Sequence, residues 1–144
     1  MSNARQISVF MENKPGQLAA VMKLIKESGI NVRALSLADT RDFGILRMIV
    51  HDADAAISAL KAAGYVATAT EIIAVTVPDT TGQLSRVVDV LASGGVNIEY
   101  LYAFTGKSDR SVSFVIRVDD NAAASSVLDA AGIIQLTEND IAKI

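Results

Sequence analysis

Apolar residues recur along the chain with two alternating periods. In QISVFM (6–11), Ile7, Val9 and Met11 occupy every second position, the mark of a strand. Leu18, Val21, Met22 and Ile25 then follow the i, i+3, i+4, i+7 spacing of one helical face. Pro15 suits the first helical turn, where its missing N–H costs nothing. Gly29 suits a left-handed helix stop. VRALSLAD (32–39) and GILRMIVH (44–51) predict two strands joined by a polar turn. DADAAISALKAAG (52–64) predicts a helix, with Asp near its start and Gly at its end. YVATATE (65–71) predicts a last short strand. The same order then returns: strand 72–77, helix 83–93, strands 98–104 and 111–118, helix 121–131, and a short strand near 133–137.

The recurrence extends to residue identity. Aligning Gly16 with Gly82 sets an offset of 82 − 16 = 66, and residues 7–37 then match 73–103 at nine of 31 positions. KAAGY (61–65) meets DAAGI (129–133) at an offset of 68, so two residues are added, most simply in TGKSDRS (105–111). The chain therefore reads as two similar units, 1–71 and 72–144, almost without a linker. Two copies of so long a period predict paired domains rather than a solenoid. Each unit is βαββαβ, so the fold class is α+β: two tandem ferredoxin-like units, antiparallel sheets with both helices on one face. Leu46, Met48, Val50, Phe114, Ile116 and Val118 are expected to face the helices. The opposite sheet face carries Arg47, Tyr100, Tyr102 and Arg117 beside Ile45, Ile49 and Val115. That much apolar surface predicts cover by another copy or domain, and a homodimer is expected.

Composition narrows the function. The 144 residues are 51% hydrophobic and 20% charged, enough for a real core. Net charge is −3 and no Lys/Arg cluster tracks a phosphate backbone, so nucleic acid is not an expected partner. No apolar run suits a membrane span and the first residues do not form a signal peptide. A chain without Cys has no thiolate chemistry, and the expected compartment is cytoplasmic. Ser2-Asn3-Ala4 resembles an expression-tag remnant and is left out of the expected fold. The single histidine, His51, is expected to be exposed and idle, and no metal site is expected. No nucleophile–base constellation or phosphate loop is evident, so the chain is expected to be neither an enzyme nor a cofactor binder.

The matching segments ENKPGQL (12–18) and DTTGQL (79–84) lead from a first strand into a first helix. Each is followed by an asparagine 15 residues after its glycine, Asn31 and Asn97. Since the first helix returns the chain toward the first strand, turn and asparagine are expected to be neighbours. A helix start offers free N–H groups to a carboxylate. Gly16 and Gly82 would let backbone approach closely. Asn side chains offer donors and acceptors to both ends of a zwitterion, and Asp79 would accept from an ammonium. The structural alternatives are simple: glycines for tight turns, Asp79 as a helix cap, and Asn31 and Asn97 bonded to local backbone.

The Asp/Asn-x-x-Gly-x-Leu turn, the Gly-Val/Ile-Asn-Ile/Val entry to the second strand and the element order resemble the ACT domain, over nearly the whole chain and twice. The resemblance implies an amino-acid-binding regulatory module. In its serine-responsive dehydrogenases the turn resembles His-x-Asn-x-Pro-Gly-x-Leu. Asn13 and Asn31 match the two asparagines that touch the ligand, and Asp79 and Asn97 match them in the second unit. The histidine position is Met11, or Val77, which puts serine in doubt. The implied ligand-binding residues are Met11, Asn13, Lys14, Pro15, Gly16, Gln17 and Leu18 with Asn31 and Val32. In the second unit they are Asp79, Gly82, Gln83 and Leu84 with Asn97 and Ile98. The expected function is a sensor binding a free L-amino acid where ACT units meet. Two alternatives stand beside it. QISVFMENKPGQLAAVMKLIKESGINV is similar to the opening of acetohydroxyacid synthase small subunits, which implies a regulatory subunit of a biosynthetic enzyme. The other is a ligand-free protein-interaction module.

Overall fold

The computed structural model describes residues 3–39, 41–106 and 110–144. The elements run β1 (Ala4–Glu12), α1 (Gln17–Glu27), β2 (Val32–Asp39), β3 (Phe43–Val50), α2 (Ala53–Ala62), β4 (Val66–Pro78), α3 (Gln83–Ser93), β5 (Ile98–Ala103), β6 (Ser111–Val118), α4 (Asn121–Ala130), β7 (Ile134–Gln135) and α5 (Glu138–Ala142). Helices and strands fall where the two periods put them, with two differences. The strands expected at 65–71 and 72–77 are one strand, β4. No Gly, Pro or Asn interrupts VATATEIIAVTV, and its alternation carries through without a change of face. The segment after β7 closes in a further helix, α5, started by a Thr137/Asp140 capping box. Pro15 lies two residues ahead of α1 rather than in its first turn. The two-residue insertion expected within 105–111 falls partly on 107–109, outside the described residues.

β4 is shared between two antiparallel arrays. Its first part pairs with β1 from Val66 to Ile72, and its second part pairs with β6 from Ile73 to Pro78 and with β7 at Val75 and Thr76. The strand order is β2-β3-β1-β4-β6-β5, with β7 on β4. Each half thus has the order of a βαββαβ unit. Thirteen residues at ~3.3 Å each make β4 a beam of about 43 Å.

Side chains alternate across this sheet and build two kinds of core. On the helix side of the first half, Ile7, Val9, Leu46 and Met48 pack under Val21, Ile25, Ala56 and Leu60. In the second half Ile73, Val75 and Ile116 pack under Val87, Leu91, Ala124 and Leu128. As expected, Leu46, Met48, Val50, Ile116 and Val118 are buried there, with Phe114 partly so. Fully burying each such side chain stabilises by about 1.5–3 kcal/mol.

The opposite sheet face is closed by the chain itself. At the two ends of the strand order, Ala34 of β2 forms an antiparallel bridge with Phe104, the residue that follows β5, and the Thr105 amide donates to the Arg33 carbonyl at 2.8 Å. Ala4, Ala34, Ile49, Ile72, Ala74 and Val115 form a third buried cluster, and α5 adds Ile141 to it. Ala4 is fully buried and Asn3 bridges Thr137, so these two residues belong to the fold. Arg5 ties the same corner together, donating to Asp54 of α2 and Glu138 of α5, both at 2.9 Å. Its guanidinium holds the Asp54 carboxyl below the usual carboxylate range.

A polar group sits inside this second interface. Gln6 is 1% exposed; its Nε2 donates to the Tyr100 hydroxyl, and its Oε1 accepts from the Tyr102 hydroxyl, both at 2.7 Å. The Arg47 guanidinium lies 4.2 Å from the centre of the Tyr100 ring. These contacts join β1 and β3 to β5 across the fold and fix how the half-sheets face each other. Burial pushes the Tyr102 hydroxyl above its ordinary pKa.

Replacing Tyr102→Phe leaves the buried Gln6 carbonyl without its donor, and urea unfolding at pH 7 should show a loss of about 1–3 kcal/mol. Because the folded state raises this pKa, the stabilisation is complete below the unfolded value and is lost as pH rises past about 10. The alkaline loss of stability should therefore be shallower in Tyr102→Phe than in the wild type, measured by urea midpoints at neutral and alkaline pH.

Candidate functional site

The two glycine turns adopt one conformation. Gly16 and Gly82 precede α1 and α3 with φ of 88° and 90°. A Cβ on either would meet no atom of the chain within 4 Å, so within the fold it is the backbone angle that requires glycine at these two positions. Asp79 does not cap α3: the N-cap is Gly82, with no side-chain cap, and the Asp79 amide donates to the Arg110 carbonyl. α1 likewise begins without a side-chain cap. Asp52, Asp120 and Thr137 cap α2, α4 and α5, so the two open helix starts are those that follow the glycine turns. The Leu18 and Ala19 amides find no acceptor among the described residues.

Beside the first turn lies a cavity of about 120 Å³. Met11, Asn13, Lys14, Gln17 and Leu18 line it, together with Leu37, Asp39 and Gly44, which the sequence reading missed. They arrive through strand pairing: Met11 opposes Gly44, and Gly44 opposes Asp39. Its lining is mostly apolar, with carboxylate, amide and ammonium groups at the rim. Lys14 pairs with Glu12 at 2.7 Å, and the Asn13 amide reaches Asp39 at 3.5 Å. The volume suits a small metabolite and is well below the ~300–1,000 Å³ of drug-sized pockets. Pro15 and Gly16 are exposed on the turn outside it.

Asn31 and Val32 are not neighbours of this turn. α1 runs antiparallel to β1, so it delivers the chain to the opposite end of the sheet. Asn31 precedes β2, whereas Asp39, at the cavity, ends it. The adjacency expected from the sequence is therefore corrected: one full strand separates Asn13 from Asn31. The second half repeats this, with Asp79, Gly82, Gln83 and Leu84 at one end of β6 and Asn97 and Ile98 at the other.

Both later asparagines are held by their backbone. The Asn31 amide donates to His51 Nδ1 at 3.1 Å, and the Asn97 amide donates to Asp119 Oδ1 at 3.0 Å. His51 is thus half-buried and engaged rather than idle. Its role was readable from the repeat, where Asp119 is its counterpart.

This geometry coincides with a known family. The family model for the ACT domain pair matches residues 2–144. The chain belongs to the ACT domain pair family. Among solved structures, this ACT pair is similar to protein BT0572 from Bacteroides thetaiotaomicron, with 34% identity, a TM-score of 0.92, and coverage of 99% of this chain and 97% of that one. The regulatory subunit of aspartate kinase from Thermus thermophilus, in a ligand-free form, shares the fold at 22% identity and a TM-score of 0.66, over 91% and 92% of the two chains. No curated protein sequence matches. Among the described residues no cluster of His, Cys, Asp or Glu could hold a metal ion, and no helix is long and apolar enough to cross a membrane.

His51→Ala should cost about 1 kcal/mol in urea unfolding, since the Asn31 amide loses its acceptor at a half-exposed position. His51→Asp should recover most of that loss, because Asp119 makes the same bond in the second half.

Proposed function

We propose that this ACT pair is a non-catalytic regulatory module that binds a free L-amino acid at the first glycine turn. The observation that carries the reading is the cavity at the open start of α1. The free amides there suit the ligand carboxylate. Asp39 suits the ammonium, and Asn13 can serve either group. Met11, Leu18 and Leu37 suit an aliphatic side chain. Micromolar affinity requires about 8 kcal/mol. A few charge-assisted bonds and one buried aliphatic group reach that scale.

The remaining asparagine of the site comes from the other half of the molecule. The antiparallel Ala34–Phe104 bridge supports this crosswise pairing: the end of β2 bearing Asp39 runs toward the start of β5, where Asn97 stands. By the same relation Asn31 runs toward the second turn, with Asp79, Gly82, Gln83 and Leu84. Each site then spans both units, and ligand binding biases how the half-sheets meet. Val32 and Ile98 support these asparagines from the first positions of their strands.

A second reading makes a separate biosynthetic enzyme the reader of the signal. The fold shared with an aspartate kinase regulatory subunit favours it. The acetohydroxyacid synthase likeness is weaker, since that family's second half differs and this chain repeats the ACT unit.

The test is thermal unfolding against each of the twenty amino acids. A ligand at 100 times its Kd adds about 2.7 kcal/mol, which raises Tm by roughly 8–11 °C at this size. An aliphatic amino acid should give the largest shift; no shift with any of the twenty would end the sensor reading. By calorimetry, Asn13→Ala and Asn97→Ala should each weaken the first site by about 1–3 kcal/mol, while Asn31→Ala should spare it. Loss of that site in Asn31→Ala instead would overturn the crosswise pairing.

A further inference from the structure

A row of polar side chains crosses the inner sheet face of the first half. Strand register sets Ser36 of β2 beside Arg47 of β3, Arg47 beside Ser8 of β1, and Ser8 beside Thr68 of β4. Ile7, Val9, Leu46, Met48 and Ala67 face the helices, so these four residues lie on the opposite face. Residues directly opposed on neighbouring strands stand about 4.5–5.5 Å apart at Cβ, so one small group can touch several of them. By the repeat offsets, the second half fills this row with Tyr102, Val115, Ala74 and Leu136, all in or against the third buried cluster. The fold therefore does not require polar residues in this row.

Donors outnumber acceptors there. Arg47 is half-buried, and the Tyr100 ring beside its guanidinium attracts the charge but offers the N–H groups no oxygen. Among the described residues Arg47 has neither a carboxylate nor a carbonyl partner. Arg5 and Arg117 differ: Arg5 pairs with Asp54 and Glu138, and Arg117 with Glu99 and the Glu71 carbonyl. The buried Ser8 hydroxyl accepts from Gln6 Nε2 at 3.5 Å, and among the described residues its own proton has no acceptor. The Ser36 and Thr68 hydroxyls likewise have no partner among them. What the row lacks is an anion.

We infer that Arg47, Ser8, Ser36 and Thr68 bind a small organic carboxylate, on the opposite face of the sheet from the cavity at the first glycine turn. The guanidinium fork matches the two carboxylate oxygens, and the hydroxyls donate to the lone pairs left over. The neighbouring rows select the rest of the ligand. On one side stand Ala34 and Ile49, inside the buried cluster. On the other stand Ile45, Phe10 and Val66, in register across β3, β1 and β4, with Phe10 42% exposed and Val66 63%. Two residues along a strand span about 7 Å, so an acid held at Arg47 lays a short apolar body on Phe10. A phosphate satisfies the cation but leaves those side chains in water. The row contains no carboxylate to accept from an ammonium, which favours an acid without an amino group.

Tyrosine fluorescence of the full chain tests the inference. The chain has no Trp, Tyr100 touches Arg47, and Tyr102 stacks on Tyr100 at 6.4 Å. Titration with hexanoate or cyclohexanecarboxylate should give a saturable change, about tenfold tighter than with acetate or inorganic phosphate. Arg47→Val, the residue the second half has at this position, should keep its circular dichroism and lose about tenfold or more in affinity. Arg47→Lys keeps the charge without the fork and should bind severalfold more weakly. Arg117→Gln should bind as the wild type does. Any thermal shift with amino acids should persist in Arg47→Val, which separates this site from the glycine turn. No saturable change with any probe overturns the inference, as does wild-type affinity in Arg47→Val. If Arg47→Val does not fold, unchanged affinity in Arg47→Lys overturns it instead. Phosphate binding as tightly as the apolar acids overturns the ligand class, and equal loss in Arg117→Gln overturns the place.

Discussion

The architecture depends on the uninterrupted extension of β4. Its backbone serves as the last strand of one array and the first strand of the next, so the halves cannot adopt independent positions. Given that shared strand, the sheet twists until β2 and β5 meet, and two faces that would each lie open in isolated units become one interior. The Gln6–Tyr100–Tyr102 group then selects one alignment among those that apolar contact alone would tolerate, because any slip strands buried polar atoms.

Much of this was legible in the residues. Period-2 and helical spacing located the strands and helices, and the offset of 66 exposed the duplicated plan. What escaped was non-local. The repeat suggested a break near Glu71, yet nothing in VATATEIIAVTV can end a strand. Gln6 looked like an ordinary polar position on an alternating strand; only its partners 94 and 96 residues away make it interior. The start of α5 did carry a local signature in Thr137-Glu-Asn-Asp140, a capping pair that could have been noticed.

The candidate site was half legible for the same reason. Met11, Asn13, Lys14, Gln17 and Leu18 are sequence neighbours and converge on one cavity. Leu37, Asp39 and Gly44 enter through strand register, which a local motif does not encode. The spacing of Asn13 and Asn31 suggested proximity, but a helix packed antiparallel to the preceding strand carries the chain away from its own turn. Asn13 and Asn31 therefore stand at opposite ends of their half-sheet and cannot meet at one ligand.

The placement of α5 has a further consequence, for the route by which the chain folds. Ile141 and Ala4 lie in the same cluster although 137 positions separate them (141 − 4 = 137). Contacts so distant along the chain are entropically costly to close and form late. During synthesis β1 emerges early, but the cluster around Ala4 stays incomplete until Ile141 has followed. The interval between those two events is when an open strand edge and a bare inner face are most available to aggregation or to chaperones.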